Sequence, residues 1–151
     1  MLASLAAGPR RIGRAVGRAR PARLRRRPRP REWSVVEVLG HLLDAEVTLG
    51  FRIRKAAAEP GGAIVAWDQE KWAADLRHRR ADPRTALAAF TALRADTVAL
   101  LRRLTPAQRR APGRHPEYGR LRVDQLLHHW AEHDLLHLEQ IQTTLKHLAR
   151  R

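Results

Sequence analysis

Histidine is the residue type in this sequence that points most directly to chemistry. The chain has eight histidines among 151 residues, and His129, His133 and His137 follow one another at intervals of four. In a helix this spacing places two imidazoles about one turn apart on one face, where they can chelate a divalent ion. The alternative is that they are ordinary surface histidines of an amphipathic helix, and spacing alone leaves both interpretations open.

A third imidazole, His41, lies beside the apolar stripe of a different predicted helix. If the two helices pack side by side, His41, His133 and His137 could meet around one ion and leave a fourth position open. Three histidines with an open position are typical of catalytic zinc, and they also suit nickel or iron. We expect His129 to lie outside this ligand set. Three carboxylates lie within one turn of the three histidines as acceptors for their other ring nitrogens: Glu37, Asp44 and Asp134.

Other kinds of site find little support in the sequence. The chain has no cysteine, so thiolate metal sites and cysteine nucleophiles are excluded. Its only serines are Ser4 and Ser34, and Ser34 has the position of a helix cap. Gly61-Gly62 is not followed by Gly-Lys-Ser/Thr, so no phosphate-binding loop is indicated. The four tryptophans are interpreted as core and loop anchors, and His78, His115 and His147 have no partner at a helical spacing.

The hydrophobic pattern predicts an all-α fold, a four-helix bundle, with no strand. Ser34 and Glu37 form a capping box that opens a helix running to about Ala58. Asp82-Pro83 opens the next helix, and the last runs from about Val123 to Leu148. The apolar stripe of this last helix includes Asp134, a carboxylate that needs a partner in the core. Residues 59–81 form a long loop between the second and third helices, and a loop of that length is often functional.

More than a third of the Lys and Arg residues are concentrated at one end of the chain. Lys and Arg total 30 against 15 Asp and Glu, and residues 1–31 contain 11 Arg with no acid. Gly and Pro predict only a weak first helix there. The segment also has the composition of a mitochondrial transit peptide. However, its residues 20–28 resemble residues 105–112 in sequence, which favours keeping it in one domain, residues 1–151. The alternative function is a non-catalytic protein that binds nucleic acid or acidic surfaces through this segment.

The sequence resembles the DinB/YfiT-like superfamily of small four-helix bundle proteins. The match lies in residues 27–42 around Glu-Trp-Ser and Glu-Val-Leu-Gly-His-Leu, in residues 67–72, 82–104 and 115–119, and in the His-Asp-x-x-His-x-x-Gln-Ile segment of residues 133–141. The resemblance implies a divalent-metal site at His41, His133 and His137. Characterised relatives include thiol S-transferases that use bacillithiol or mycothiol and a mycothiol-dependent maleylpyruvate isomerase.

We therefore expect a divalent-metal-dependent enzyme, a thiol S-transferase or a hydrolase, acting on a small molecule. Zinc or nickel is the expected metal, with iron as an alternative, and a low-molecular-weight thiol is a candidate cofactor. Arg77 or Arg120 could hold acidic groups of the substrate. No apolar run approaches the ~20 residues of a membrane span, so we expect a soluble, cytoplasmic protein, and a homodimer is compatible with the sequence.

Overall fold

Seven α-helices account for most of residues 1–150, the part of the chain that the computed structural model describes. In chain order they are α1 (Leu2–Val16), α2 (Pro21–Leu24), α3 (Val35–Ala58), α4 (Gln69–Asp75), α5 (Pro83–Arg103), α6 (Pro106–Arg110) and α7 (Val123–Ala149). The four long helices, α1, α3, α5 and α7, pack as a bundle. α1 and α3 each contact both α5 and α7, so α1 and α3 lie diagonally opposite one another. The predicted all-α four-helix bundle is confirmed.

The helix starts that the sequence predicts are those of the structure. At the start of α3 the Ser34 amide donates to Glu37 Oε2 at 2.8 Å, and the Glu37 amide donates to Ser34 Oγ at 3.4 Å. At the start of α5 the Thr85 amide donates to the Asp82 carboxylate at 2.8 Å. These bonds satisfy backbone N–H groups that a helix leaves without an internal partner.

α1 is a continuous helix of 15 residues despite its glycines and its internal Pro9. Leu5, Ile12 and Val16 are buried against the rest of the bundle. Gly8 is also buried, and a Cβ there would lie 2.5 Å from Oδ2 of Asp134. The glycine that weakens helix propensity therefore permits close packing on α7. Several arginines of α1 are exposed. Their exposure is compatible with polyanion binding by this segment, which stays a prediction.

A charged network crosses the centre of the bundle. Arg94 of α5, 2% exposed, donates from Nε to Glu46 of α3 at 2.7 Å. Its two terminal nitrogens donate to Asp134 of α7 at 2.5 and 3.0 Å. One of them also donates to the Leu5 carbonyl of α1 at 3.0 Å. Arg94 thus bonds to all three other long helices, and it satisfies the carboxylate that the sequence placed on an apolar stripe.

The prediction that the chain has no strand is wrong. A short antiparallel hairpin of β1 (Pro112–His115) and β2 (Gly119–Arg122) precedes α7. Gly119 has φ +67, which a tight turn requires and glycine tolerates. Strands of four residues with mixed Arg, His and Gly lack the alternation that identifies strands in a sequence.

The connection over residues 59–81 is more ordered than a plain loop. It contains α4 and a 3₁₀ turn at His78–Arg80. The Ile64 amide donates to the Arg114 carbonyl, and the Arg114 amide donates to the Gly62 carbonyl, each at 2.9 Å. The hairpin therefore anchors the connection beside α3. Within the described residues, none of the helices combines the length and the apolar character that a membrane crossing requires.

Candidate metal centre

The fold brings His41 of α3 together with His133 and His137 of α7. Nε2 of His133 lies 2.8 Å from Nε2 of His41 and 3.1 Å from Nε2 of His137. One ring nitrogen from each histidine lies within 4.8 Å of the other two. His41 is buried, while His133 and His137 are half-buried. The packing of α3 against α7 therefore brings together the three histidines that the hypothesis of a metal site requires.

Burial keeps these imidazoles uncharged. It lowers the pKa of His41 to about 3, and His137 and His78 nearby add to that effect. Burial and the neighbouring His137 and His41 lower the pKa of His133 to about 2. Burial also lowers the pKa of His137, against the opposing effect of its hydrogen bond with Gln140. Neutral imidazole is the form that binds metal ions.

The donor set fits a divalent ion. Nitrogens bound to one tetrahedral zinc at ~2.0–2.1 Å lie about 3.3 Å apart, close to the 2.8 and 3.1 Å separations of the Nε2 atoms. Nδ1 of His137 lies 2.7 Å from the Gln140 side-chain oxygen, so Nδ1 carries the proton and Nε2 presents a lone pair. A hydrogen bond of this kind fixes the tautomer that a metal ligand needs.

The expected carboxylate acceptors are not used in the way the sequence suggested. Asp44 pairs with Nε2 of His78 at 2.5 Å, Glu37 is held by Ser34 and Arg27, and Asp134 is held by Arg94. Within residues 1–150, the buried Nδ1 atoms of His41 and His133 have no hydrogen-bond partner. Proximity along a helix did not reveal the pairings of Asp44 and Asp134, because their partners lie 34 and 40 residues away. Glu37 is occupied by its helix cap and by Arg27.

Two tryptophans enclose the His41 ring. Trp67 stacks on it with centroids 5.3 Å apart and an interplanar angle of 16°, and Trp33 lies 5.1 Å away. Trp72 packs on the edge of Trp67 at 4.9 Å. The prediction that tryptophans act as anchors is confirmed for Trp130, which is fully buried, while Trp33 and Trp67 belong to the site.

A cavity of about 440 Å³ opens beside His41 and His133, two of the three histidines. Its wall includes residues of α3, α7, the 66–70 segment and the hairpin region, among them His41, His133, Arg52, Trp67 and His115. His129 lines the same cavity, with its ring centroid 6.5 Å from that of His133, in line with its predicted place outside the ligand set. The volume is in the range of small-molecule sites.

The arginines suggested for substrate binding do not line this cavity. Arg77 is exposed at the turn after α4, and Arg120 lies in strand β2 beside a different surface depression. The cavity contains Arg52 instead, which is 8% exposed, together with His115. No motif marked Arg52 in the sequence, although it lies eleven residues after His41 and thus on the same face of α3.

Two curated proteins are similar in sequence to part of this chain. A protein of Oceanobacillus iheyensis named as a candidate metal-dependent hydrolase is 28% identical over 114 residues, which are 76% of this chain and 66% of that protein. YfiT of Bacillus subtilis, which carries the same description, is 32% identical over 85 residues, 56% of this chain and 48% of YfiT. The chain thus aligns with about half to two thirds of the length of these curated relatives.

The fold comparison extends over almost the whole chain. A solved structure of YfiT, described as a candidate metal-dependent hydrolase with an unusual four-helix bundle topology, superposes with a TM-score of 0.82 at 25% identity. The superposition covers 96% of this chain and 85% of YfiT. The family model of the DinB superfamily matches residues 4–141. The chain therefore belongs to the DinB superfamily.

Proposed function

We propose that this protein is a divalent-metal-dependent hydrolase that acts on a small molecule. His41, His133 and His137 hold the ion, which is zinc or nickel, with iron as the alternative. The observation that carries the proposal is the convergence of the Nε2 atoms of three uncharged imidazoles, two of which line a cavity of about 440 Å³. The names of the relatives, candidate metal-dependent hydrolases, support the same reaction class.

The chemistry follows from the ligand set and the residues around it. When bound, a divalent ion supplies Lewis-acid chemistry, because its charge polarises a substrate group and eases removal of a proton from the attacking water or thiol. Gln140 orients His137 through its bond to Nδ1. Trp33 and Trp67 cover the His41 ring and exclude water from that side.

Carboxylates at the mouth of the cavity can accept the proton released in hydrolysis. Asp68, Glu70 and Glu117 line the cavity and are exposed. Asp68 caps α4, and Glu70 accepts a hydrogen bond from the Trp33 indole at 3.2 Å. These contacts hold two of the three carboxylates in place near the tryptophans.

Thiol S-transfer is the second candidate reaction. Three neutral nitrogen ligands leave the full +2 charge of the ion available, and zinc accepts thiolate sulfur as readily as nitrogen. A low-molecular-weight thiol would then replace water as the nucleophile in the same cavity. The two reactions need the same three histidines and differ in the co-substrate.

Metal analysis tests the proposal first. Wild type, His137→Ala and the matched neighbour His129→Ala are purified without a tag, reconstituted with zinc or nickel, and analysed by mass spectrometry and circular dichroism. We expect about one ion per chain in wild type and His129→Ala, and loss of the ion in a folded His137→Ala. Loaded protein is then assayed with ester and amide substrates, with and without thiols.

The possible results separate cleanly. Failure of wild type to retain an ion after reconstitution would contradict the proposal, as would an ion that His137→Ala binds equally well. Turnover of esters or amides that requires the ion supports hydrolysis. Turnover that requires an added thiol replaces hydrolysis by thiol transfer.

A further inference from the structure

Arg52 is a buried cation without an anionic partner. It is 8% exposed and lines the cavity beside the three histidines. Its Nε donates to the Val65 carbonyl at 2.7 Å, and this is its one hydrogen bond within residues 1–150. Burial lowers the pKa of Arg52, with Glu117 and Tyr118 opposing the shift from beyond ion-pair distance. A buried guanidinium is costly unless a group of opposite charge meets it.

His115 adds a second donor to the same wall. Its Nδ1 accepts from the backbone N–H groups of Glu117 at 3.2 Å and Tyr118 at 3.4 Å. A neutral ring that accepts at Nδ1 carries its proton on Nε2. Burial and the charge of Arg52 lower the pKa of His115, so the ring is neutral near pH 7. The hairpin turn therefore presents an N–H donor near the guanidinium.

The floor between Arg52 and the histidines is apolar. His41, Ala45, Leu49 and Arg52 line the cavity from one face of α3. Arg52 follows His41 by three helical turns, so their Cα atoms lie about 16 Å apart along the helix axis. A ligand that reaches both ends must be elongated, with an apolar middle over Ala45 and Leu49.

We propose that Arg52 and His115 bind the carboxylate of an elongated substrate whose reacting group lies at the three histidines. The inference rests on the proposed function, because it names the substrate class of that same cavity. A guanidinium and a carboxylate match as two parallel hydrogen bonds. A monoanion is favoured over a phosphate dianion, since Asp68, Glu70 and Glu117 place three carboxylates around the cavity.

Size-matched probes test the subsite. Hexanoate, hexanamide and hexyl phosphate are titrated into metal-free and zinc-loaded protein, and binding is followed by NMR through the tryptophan indole N–H signals. The Trp67 signal, assigned with Trp67→Phe, reports on the cavity. We expect hexanoate to bind roughly tenfold more tightly than hexanamide, because a charged hydrogen bond replaces a neutral one. We also expect it to bind more tightly than hexyl phosphate.

Variants locate the preference. Arg52→Gln should abolish the preference for hexanoate over hexanamide, while Arg52→Lys, which keeps the charge, should retain part of it. Arg54→Gln is the matched control, since Arg54 lies on the same helix but is exposed and pairs with Asp96. It should leave the preference unchanged. Glu117→Gln removes a nearby carboxylate and should strengthen hexanoate binding severalfold. Thermal unfolding checks that each variant is folded.

Each outcome decides the assignment. Equal binding of hexanoate and hexanamide overturns it, as does a folded Arg52→Gln that still prefers hexanoate. If Arg52→Gln does not fold, an unchanged preference in Arg52→Lys together with an unchanged affinity in Glu117→Gln overturns it. Tighter binding of hexyl phosphate replaces the carboxylate by a phosphate. Because metal-free protein contains the subsite, this result is independent of whether the histidines bind an ion.

Discussion

Replacing Arg94 by methionine tests the charged network that joins the four long helices. Methionine keeps much of the side-chain length but removes the hydrogen bonds to Glu46, Asp134 and the Leu5 carbonyl. Two carboxylates then remain in the core, where the Glu46 side chain is 0% and the Asp134 side chain 5% exposed. Neither can reach water without moving a helix.

The expected loss is large for a single substitution. Removing one partner of a buried ion pair costs about 3–5 kcal/mol, because the remaining charge is left without compensation. In a domain of this size each kcal/mol lowers the melting temperature by about 2–4 °C, so the expected drop is roughly 6–20 °C. Glu46→Gln should cost much less, about 1 kcal/mol. Burial raises the pKa of Glu46 to about 7 against the opposing Arg94 charge, so this carboxyl is already partly neutral near pH 7.

Urea unfolding followed by circular dichroism at about pH 7 gives the free energies of unfolding. Arg102→Met is the control, since Arg102 lies on the same helix and is exposed, and it should change stability by less than about 1 kcal/mol. If Arg94→Met costs no more than Arg102→Met, the network does not hold the bundle together. If Glu46→Gln costs as much as Arg94→Met, the reasoning about the partly neutral carboxyl is wrong.

Three further outcomes are expected. Gln140→Leu should weaken metal affinity by about 10–100-fold, measured by chelator competition, because His137 loses the partner that fixes its tautomer; unchanged affinity would contradict this role. Gly8→Ala should cost about 1–3 kcal/mol in thermal unfolding, because its Cβ would meet a carboxylate at 2.5 Å, whereas Gly13→Ala, with its nearest atom at 3.8 Å, should be neutral or stabilising. Burial raises the pKa of Glu37, but hydrogen bonds from an arginine and a serine outweigh that effect and hold the pKa below 4.5. Its stabilising effect is therefore present above about pH 4.5 and lost as the pH falls, so the stability gap between wild type and Glu37→Gln should narrow between about pH 7 and pH 3.

Local signals in the sequence were sufficient to predict where α3 and α5 begin. The capping box at Ser34 and the Asp82-Pro83 start depend on side chains and amides within three residues, so they survive in the fold. The stripe on α7 likewise identified Asp134 as a carboxylate that needs a partner. The identity of that partner, Arg94, could not be predicted, because it lies 40 residues away and α5 is otherwise an ordinary amphipathic helix.

The candidate site was predictable in part for the same reason. His133 and His137 are related by helical spacing, and helix packing then had to supply His41 from 92 residues away. Some hydrogen-bonded pairs around the three histidines could not be predicted, because they join residues that are far apart in the sequence. His78 finds Asp44 across 34 residues, and a Cβ on Gly40 would lie 2.6 Å from the His78 ring. No motif marks Arg52, because what distinguishes it is the lack of an ion-pair partner in the folded chain, which the sequence does not show.

The bond between Arg94 and Asp134 also bears on the rotational setting of α7. Successive residues of a helix are rotated by about 100°, so a slip of one residue would turn Asp134 away from Arg94 and place another residue at the core. The same slip would carry the neighbouring His133 away from His41. An apolar stripe alone would tolerate a slip of three or four residues, which returns nearly the same face to the core, whereas the buried ion pair permits only one position of the helix. The buried ion pair thus fixes the register and rotation of α7, which keeps its two histidines aligned with the one on α3.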